Sequence, residues 1–322
     1  MGPPDGRVRA SGRVPPDGQE RPGGGWMRPG GPGRRVAGGG SLVGLGLVAG
    51  GLAAQQFGAA VAASLFPRAG ALGVVTLRLT VAAVVLLVVC RPAVRGYRRA
   101  DWAVIVGFGA ALAGMNALIY QAIDRIPLGA AVTLEVLGPL TLSVLAARGA
   151  RRWLWAGLAL AGVALLGRGG FDGLDPVGAG FALAAGAAWA AYILLSARTG
   201  SRFPGVDGLA LAMAFGALLS LPFGVADAGG ALLDPVTVGL GAAVALLSSV
   251  LPYTLELLAL RRIAPATFSV LMSLSPAVAA LAGQLVLGQA LSPTDVAAIA
   301  LVVLASAGAI RATAALRSEV EA

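Results

Sequence analysis

Ten apolar runs, each about long enough to cross a bilayer, divide this chain. They fall at residues 42–65, 71–90, 102–120, 127–147, 152–168, 176–196, 208–226, 238–260, 265–288 and 293–311. A helix of about 20 residues spans a hydrocarbon core of roughly 30 Å. Turn formers stand between the runs: Pro67 with Gly70, Pro92, Pro127, Pro176, Pro204 with Gly205, Pro235, Pro265 and Pro293. In hydrocarbon every backbone polar group must bond within the protein, which leaves helices or closed barrels. Barrel strands are roughly ten residues long and alternate in hydrophobicity, which these runs do not. The expected fold is an all-α polytopic membrane protein with ten transmembrane helices. Charged residues make up only 12% of the chain, against about 25% in a soluble domain.

All 24 basic residues are arginine, and the formal net charge is +9. A nucleic-acid binder gathers such charge on one folded face beside stacking aromatics. Here the arginines sit between apolar blocks, so nucleic acid is excluded as a partner and the lipid bilayer implied. Cytoplasmic loops collect positive charge. With the N-terminus inside, every arginine except Arg68, Arg78, Arg125 and Arg168 falls in a cytoplasmic segment. That places both termini of the multi-pass chain in the cytoplasm. One cysteine, Cys90, and no histidine exclude an internal disulfide and leave no conventional metal or redox motif, so neither cofactor nor metal is expected.

Residues 1–40 are rich in Gly, Pro and Arg without periodicity. Such a segment buries too little apolar surface to offset its ordering entropy. It is expected to be a disordered cytoplasmic tail, with Met27 an alternative start. Residues 41–169 form a first five-helix repeat, 176–311 a second, and 312–322 a cytoplasmic C-terminal tail. The repeat appears when DRIPLGAAVTLEVLGPL (124–140) is laid on RRIAPATFSVLMSLSPA (261–277): Arg125 meets Arg262, Ile126 meets Ile263, and Pro139 meets Pro276. A second overlay puts Phe57 on Trp189 and Ser64 on Ser196. An odd number of spans per half inverts the second copy, the pattern of alternating-access transporters.

Four stretches carry a family resemblance: LFPRAGALGVVTLRL (65–79), GMNALIYQAIDRIPLGAAVTLEVLGPL (114–140), GAGFALAAGAAWAAYILLSARTG (178–200) and LSSVLPYTLELLALRRIAPATFSVLMSLSPAVAALAG (247–283). With the ten spans, they resemble the EamA-type transporters of the drug/metabolite transporter superfamily, and within it the threonine/homoserine exporters. The resemblance extends over residues 42–311. It implies efflux of small amino acids or related metabolites driven by the proton gradient. Two positions depart from the pattern. Ser275 stands where relatives tend to carry a glutamate before the ninth-span proline, and Gln289 ends an LGQ where they read LGE.

Glu135 is the only ionisable residue between Pro127 and Ala147. A charge at that depth must face the protein interior, a partner or water. It can carry a proton, hold a substrate ammonium, or form a structural pair with Arg78. Arg78, in VVTLRLTV, is the other deep charge; its guanidinium fork suits a substrate carboxylate, the same pair, or an outward reach along the helix. Trp189 and Tyr192 share a helix face mid-span, where they line a cavity or pack in the core. Tyr253 and Glu256 share another, and Glu256 lies near enough to the cytoplasmic end to meet Arg261 or Arg262. Gln55 and Gln56 in the first span, with Asn116 and Gln121 in the third, each require an amide partner in hydrocarbon, helix or substrate. Gly138 with Pro139, Pro252 and Pro276 are expected kinks beside a cavity, since proline removes a helical hydrogen bond. Gly46 and Gly50 form a GxxxG expected to pack helices.

These residues point to a secondary transporter that exports a small-molecule substrate as a monomer or homodimer. Another EamA solute (a drug, an aromatic amino acid or a purine-like compound) and uptake rather than export are the alternatives of the same class. An intramembrane enzyme is disfavoured because no histidine and no HExxH, GxSxG, P-loop or dinucleotide motif is present in a fitting context.

Overall fold

The computed structural model describes residue 2 and residues 38–92, 94, 96–146, 151–167, 174–203 and 207–321. The expected disordered tail therefore lies almost wholly outside the described residues. Helix α1 (Gly38–Ala63) starts ahead of the expected position 42. It is followed by α2 (Phe66–Cys90), α3 (Arg99–Ile123), α4 (Leu128–Glu135), α5 (Leu137–Ala146) and α6 (Arg151–Gly167). The chain continues with α7 (Pro176–Arg202), α8 (Asp207–Ala228), α9 (Pro235–Ala245), α10 (Leu251–Leu260), α11 (Pro265–Met272), α12 (Ser275–Leu287) and α13 (Pro293–Glu321). A π-helical turn, Leu246–Val250, joins α9 to α10. The segment read as a C-terminal tail continues α13 as helix to Glu321.

Among the described residues, nine helical stretches are long and apolar enough to cross a membrane. The fifth expected span is shorter: α6 has 17 residues, about 25 Å of helix at 1.5 Å per residue, and its apolar part is Arg152–Leu166. The protein is thus an all-helical, multi-pass membrane protein.

Proline and glycine explain where three spans break. Pro139 cannot donate to the carbonyl of Glu135 four residues earlier, and Pro276 cannot donate to that of Met272. At both places one helix ends and another begins, α4 into α5 and α11 into α12. Helix α4, Leu128–Glu135, aligns residue for residue with α11, Pro265–Met272, under the overlay that pairs Pro139 with Pro276. In α2 the break comes from glycine. Gly70 has φ 65°, a left-handed conformation open mainly to glycine. Leu72 loses its helical acceptor there, and its N–H donates to the Asp227 carboxylate at 2.8 Å.

Helix α2 packs on α8, α3 on α7 and α8, α1 on α10 and α12, α4 on α12 and α7, and α6 on α13. Small residues carry these contacts, as in membranes, where close backbone approach rather than hydrophobicity drives association. Gly44, Gly51 and Gly58 form the working stripe of α1, meeting Ile263, Leu255 with Glu256, and Ser248. This corrects the expectation for Gly46, which has nothing within 4 Å; Gly50 makes one ordinary contact with Leu255. Where α4 turns into α5, Gly138 and Gly186 of α7 touch backbone to backbone, and a Cβ on Gly138 would overlap the Gly186 peptide.

Gly138→Ala is therefore expected to destabilise the detergent-solubilised protein by about 1–3 kcal/mol, the usual penalty of overpacking. Gly46→Ala, with open space and a better helix former, is expected to leave the thermal midpoint unchanged or slightly raised. A G138A protein as stable as wild type would show that the α5–α7 contact yields easily.

Candidate functional site

The centre of the molecule is organised around Arg78. Its donors fan out to three groups. Nε donates to Ser249 Oγ at 3.1 Å, Nη1 to Tyr120 Oη at 3.0 Å, and Nη2 to the Ser248 carbonyl at 3.4 Å. Tyr120 comes from α3 and is 1% exposed, and the guanidinium also lies 5.7 Å from its ring centroid. The serines belong to the π-helical turn ahead of Pro252. Pro252 has no N–H for the Ser248 carbonyl four residues back, so that acceptor is open to a donor from another helix. Arg78 is such a donor, and the bond joins the first half of the chain to the second. Ser248 is 2% exposed, and its own hydroxyl finds no partner among the described residues.

Glu135 is the last residue of α4, half-buried, immediately before the Pro139 break. Its carbonyl is the one released by Pro139, and Gly186 of α7 approaches it so closely that a Cβ there would sit 2.5 Å from the oxygen. The Arg78 charge reaches the Glu135 carboxyl electrostatically, without a salt bridge between them. Among the described residues the salt bridges are Arg68–Asp234, at 3.2 Å, and Arg202–Asp101, at 3.6 Å. The two charges lie within each other's field, and the described bonds of the guanidinium go to Ser249, Tyr120 and the Ser248 carbonyl.

The other sequence-predicted residues separate. Trp189 and Tyr192 are half-buried and pack on the core, Tyr192 with its ring centroid 5.1 Å from that of Phe108. Asn116 is buried, but its Nδ2 donates to Leu112 O of its own helix at 2.8 Å; the expected interhelical partner is replaced by the turn below. Gln56 is buried and Gln55 half-buried, mid-way along α1. Glu256 faces Gly51 of α1, its Cγ 3.5 Å from where a Cβ would stand, and forms no salt bridge with Arg261 or Arg262 within the described residues. The Tyr253 side chain lies outside the described residues. Pro276 and Ser275 are buried at the start of α12.

Tyr120, Ser248 and Ser249 escape a reading of the sequence that follows charge alone. The signal is present in LLSSVLP, where two hydroxyls precede a span-breaking proline. Gln289, singled out as a departure, has a structural role. Its Oε1 accepts from Leu128 N at 3.0 Å, satisfying an orphan N–H at the start of α4.

At the end of the molecule where α2 begins, Asp234 accepts from Thr237 N and Oγ1 at 2.9 and 2.7 Å and pairs with Arg68. The Thr237 hydroxyl, its N–H and then Arg68 hold the Asp234 carboxyl below the usual range.

Residues 176–311 match the model of the EamA-like transporter family. The threonine/homoserine exporter RhtA of Escherichia coli (strain K12) is 39% identical over 259 residues, covering 80% of this chain and 88% of the relative. RhtA of Salmonella typhimurium (strain LT2) is 39% identical over 255 residues, covering 79% and 86%. A solved crystal structure aligns over 88% of this chain and 99% of its own with a TM-score of 0.52 at 23% identity, a likeness of fold. On this similarity, the chain belongs to the EamA-like transporter family.

Proposed function

We propose that this protein exports small amino acids of the threonine and homoserine kind, or related metabolites, across the bacterial inner membrane by alternating access coupled to protons. The observation that carries the reading is the pairing of two deep charges. Arg78 is a cation that donates to neutral oxygens, and Glu135 is a carboxyl within its field. A zwitterion complements both. Its carboxylate makes charge-assisted bonds to the guanidinium, stronger than those from a serine hydroxyl or a peptide carbonyl. Its ammonium, or a proton in exchange for it, goes to Glu135. The names of the relatives, threonine/homoserine exporters, support the same class of solute.

Movement follows from what the substrate displaces. A carboxylate on Arg78 competes with Ser249 Oγ and the Ser248 carbonyl, which lie in the turn between α9 and α10. Taking Arg78 away frees that turn from α2. Two inverted five-helix halves supply the rocking bodies, and the matched breaks of α4 and α11 support that division. The arginine distribution supports cytoplasmic termini, which places the end where α2 begins outside.

The test uses full-length protein in proteoliposomes with labelled threonine or homoserine. Glu135→Gln is expected to reduce pH-gradient-driven flux at least tenfold while solute exchange without a gradient persists. Undiminished driven flux in that variant would remove Glu135 from proton coupling, and absence of flux of either solute in the wild type would overturn the substrate assignment.

Arg78→Lys keeps the charge but loses the fork, and is expected to raise the half-saturating solute concentration about tenfold, or 1.4 kcal/mol. Pro252→Ala restores a backbone donor to Ser248 O. Its expected effect is slower turnover with half-saturation nearly unchanged. An unaltered turnover would show that the Arg78–Ser248 contact does not limit movement.

A further inference from the structure

A cavity of about 310 Å³ opens where α1, α3 and α12 end and α2 begins. It lies away from the Arg78 bonds, on the face that the export reading places outside. Its wall is apolar on one side, with Ala63, Phe66, Ile123 and Leu287, and carries two polar groups, Asp124 and Gln289. Ligand sites of drug-sized molecules run from about 300 to 1,000 Å³, so this one suits a small solute.

The two polar groups differ in kind. Asp124 is exposed, and only its backbone N–H is used in the described bonds, donating to Tyr120 O. Its carboxylate is an acceptor with negative charge. Gln289 gives its carbonyl oxygen to the Leu128 N–H, which leaves its NH2 group as a donor. Arg125, the nearest cation in sequence, has its guanidinium 5.7 Å from the Phe181 ring centroid on α7. An acceptor, a donor and an apolar wall in one small cavity match the ammonium, carboxylate and side chain of an amino acid. An aromatic face at Phe66 adds a surface for the ammonium.

Phe66 also connects this cavity to the centre. Its ring centroid is 5.6 Å from that of Tyr120, whose hydroxyl accepts from Arg78. Phe66 thus touches both the cavity and Tyr120 of the Arg78 cluster.

We infer that this cavity is an outer binding site for a small zwitterionic amino acid, with Asp124 taking the ammonium, Gln289 the carboxylate, and Phe66 closing the way to Arg78. The inference rests on the export reading for its orientation and ligand class. It assigns the site from which a solute leaves, separate from the central one.

The experiment is protection from labelling in spheroplasts expressing the full chain with Cys90→Ser and Leu287→Cys, treated with a membrane-impermeant maleimide. Ala63→Cys, at another lining position, serves as a second reporter. External L-threonine or L-homoserine is expected to slow labelling severalfold, and Asp124→Asn or Gln289→Glu to abolish that protection. Absence of labelling at both reporters, absence of protection by either solute, or equal protection in the Asp124 and Gln289 variants would each overturn the site. Protection without gradient-driven flux would instead overturn the export reading and leave the site standing. Flux without protection would do the reverse.

Discussion

Pro252 cannot close the Ser248 carbonyl within its own helix, and Arg78 supplies a donor from across the molecule. In water such an exchange would be minor. In hydrocarbon an unbonded carbonyl costs several kcal/mol, and an arginine at mid-depth is itself expensive, by about 2.5–3.5 kcal/mol on insertion scales. Each liability offsets part of the other. The guanidinium gains acceptors, and the broken α9–α10 span gains a donor. Tyr120 and Ser249 take up further directions of the fork. The halves of the chain are thus joined at mid-span by bonds from one guanidinium.

The second deep charge is placed by backbone contact. Glu135 ends α4 because Pro139 denies its carbonyl a helical donor, and Gly138 and Gly186 let α7 lie directly on that break. Any side chain at either glycine would push the helices apart and displace the carboxyl. Glu135 consequently sits within the field of Arg78.

Most of the fold was legible because hydrocarbon permits so few solutions. Long apolar runs and the prolines between them placed the spans, and Pro139 with Pro276 marked breaks that the helices reproduce. The short fifth span was legible too: its run, 152–168, is the shortest of the ten because Arg148, Arg151 and Arg152 crowd its start and Arg168 its end, and α6 has 17 residues. Site residues were legible in proportion to their cost. Arg78 and Glu135 stand out because charges in a membrane are rare. Tyr120, Ser248 and Ser249 do not, because hydroxyls are common in spans and usually bond their own helix, as Thr133 does with Gly129 O at 2.6 Å. Their role depends on Arg78 arriving from 42 to 171 residues away, a distance no local pattern reports. The same limit explains Asn116, whose bond to Leu112 is the local solution that the sequence offers equally well.

The ion pairs at the two ends differ from the bonds at the centre in their exposure. Arg68–Asp234 ties the start of α2 to the start of α9, and Arg202–Asp101 ties the end of α7 to the start of α3, at the opposite end. All four side chains are partly exposed, with 24–50% of their surface accessible, and such pairs contribute about 0–1 kcal/mol. These pairs therefore add little to the helix packing around them, whereas the bonds from Arg78 join α2 to the α9–α10 turn at mid-span. At that same depth Arg78 and Glu135 lie within each other's field, so the residues that join the halves are also the deep charges of the membrane-spanning region.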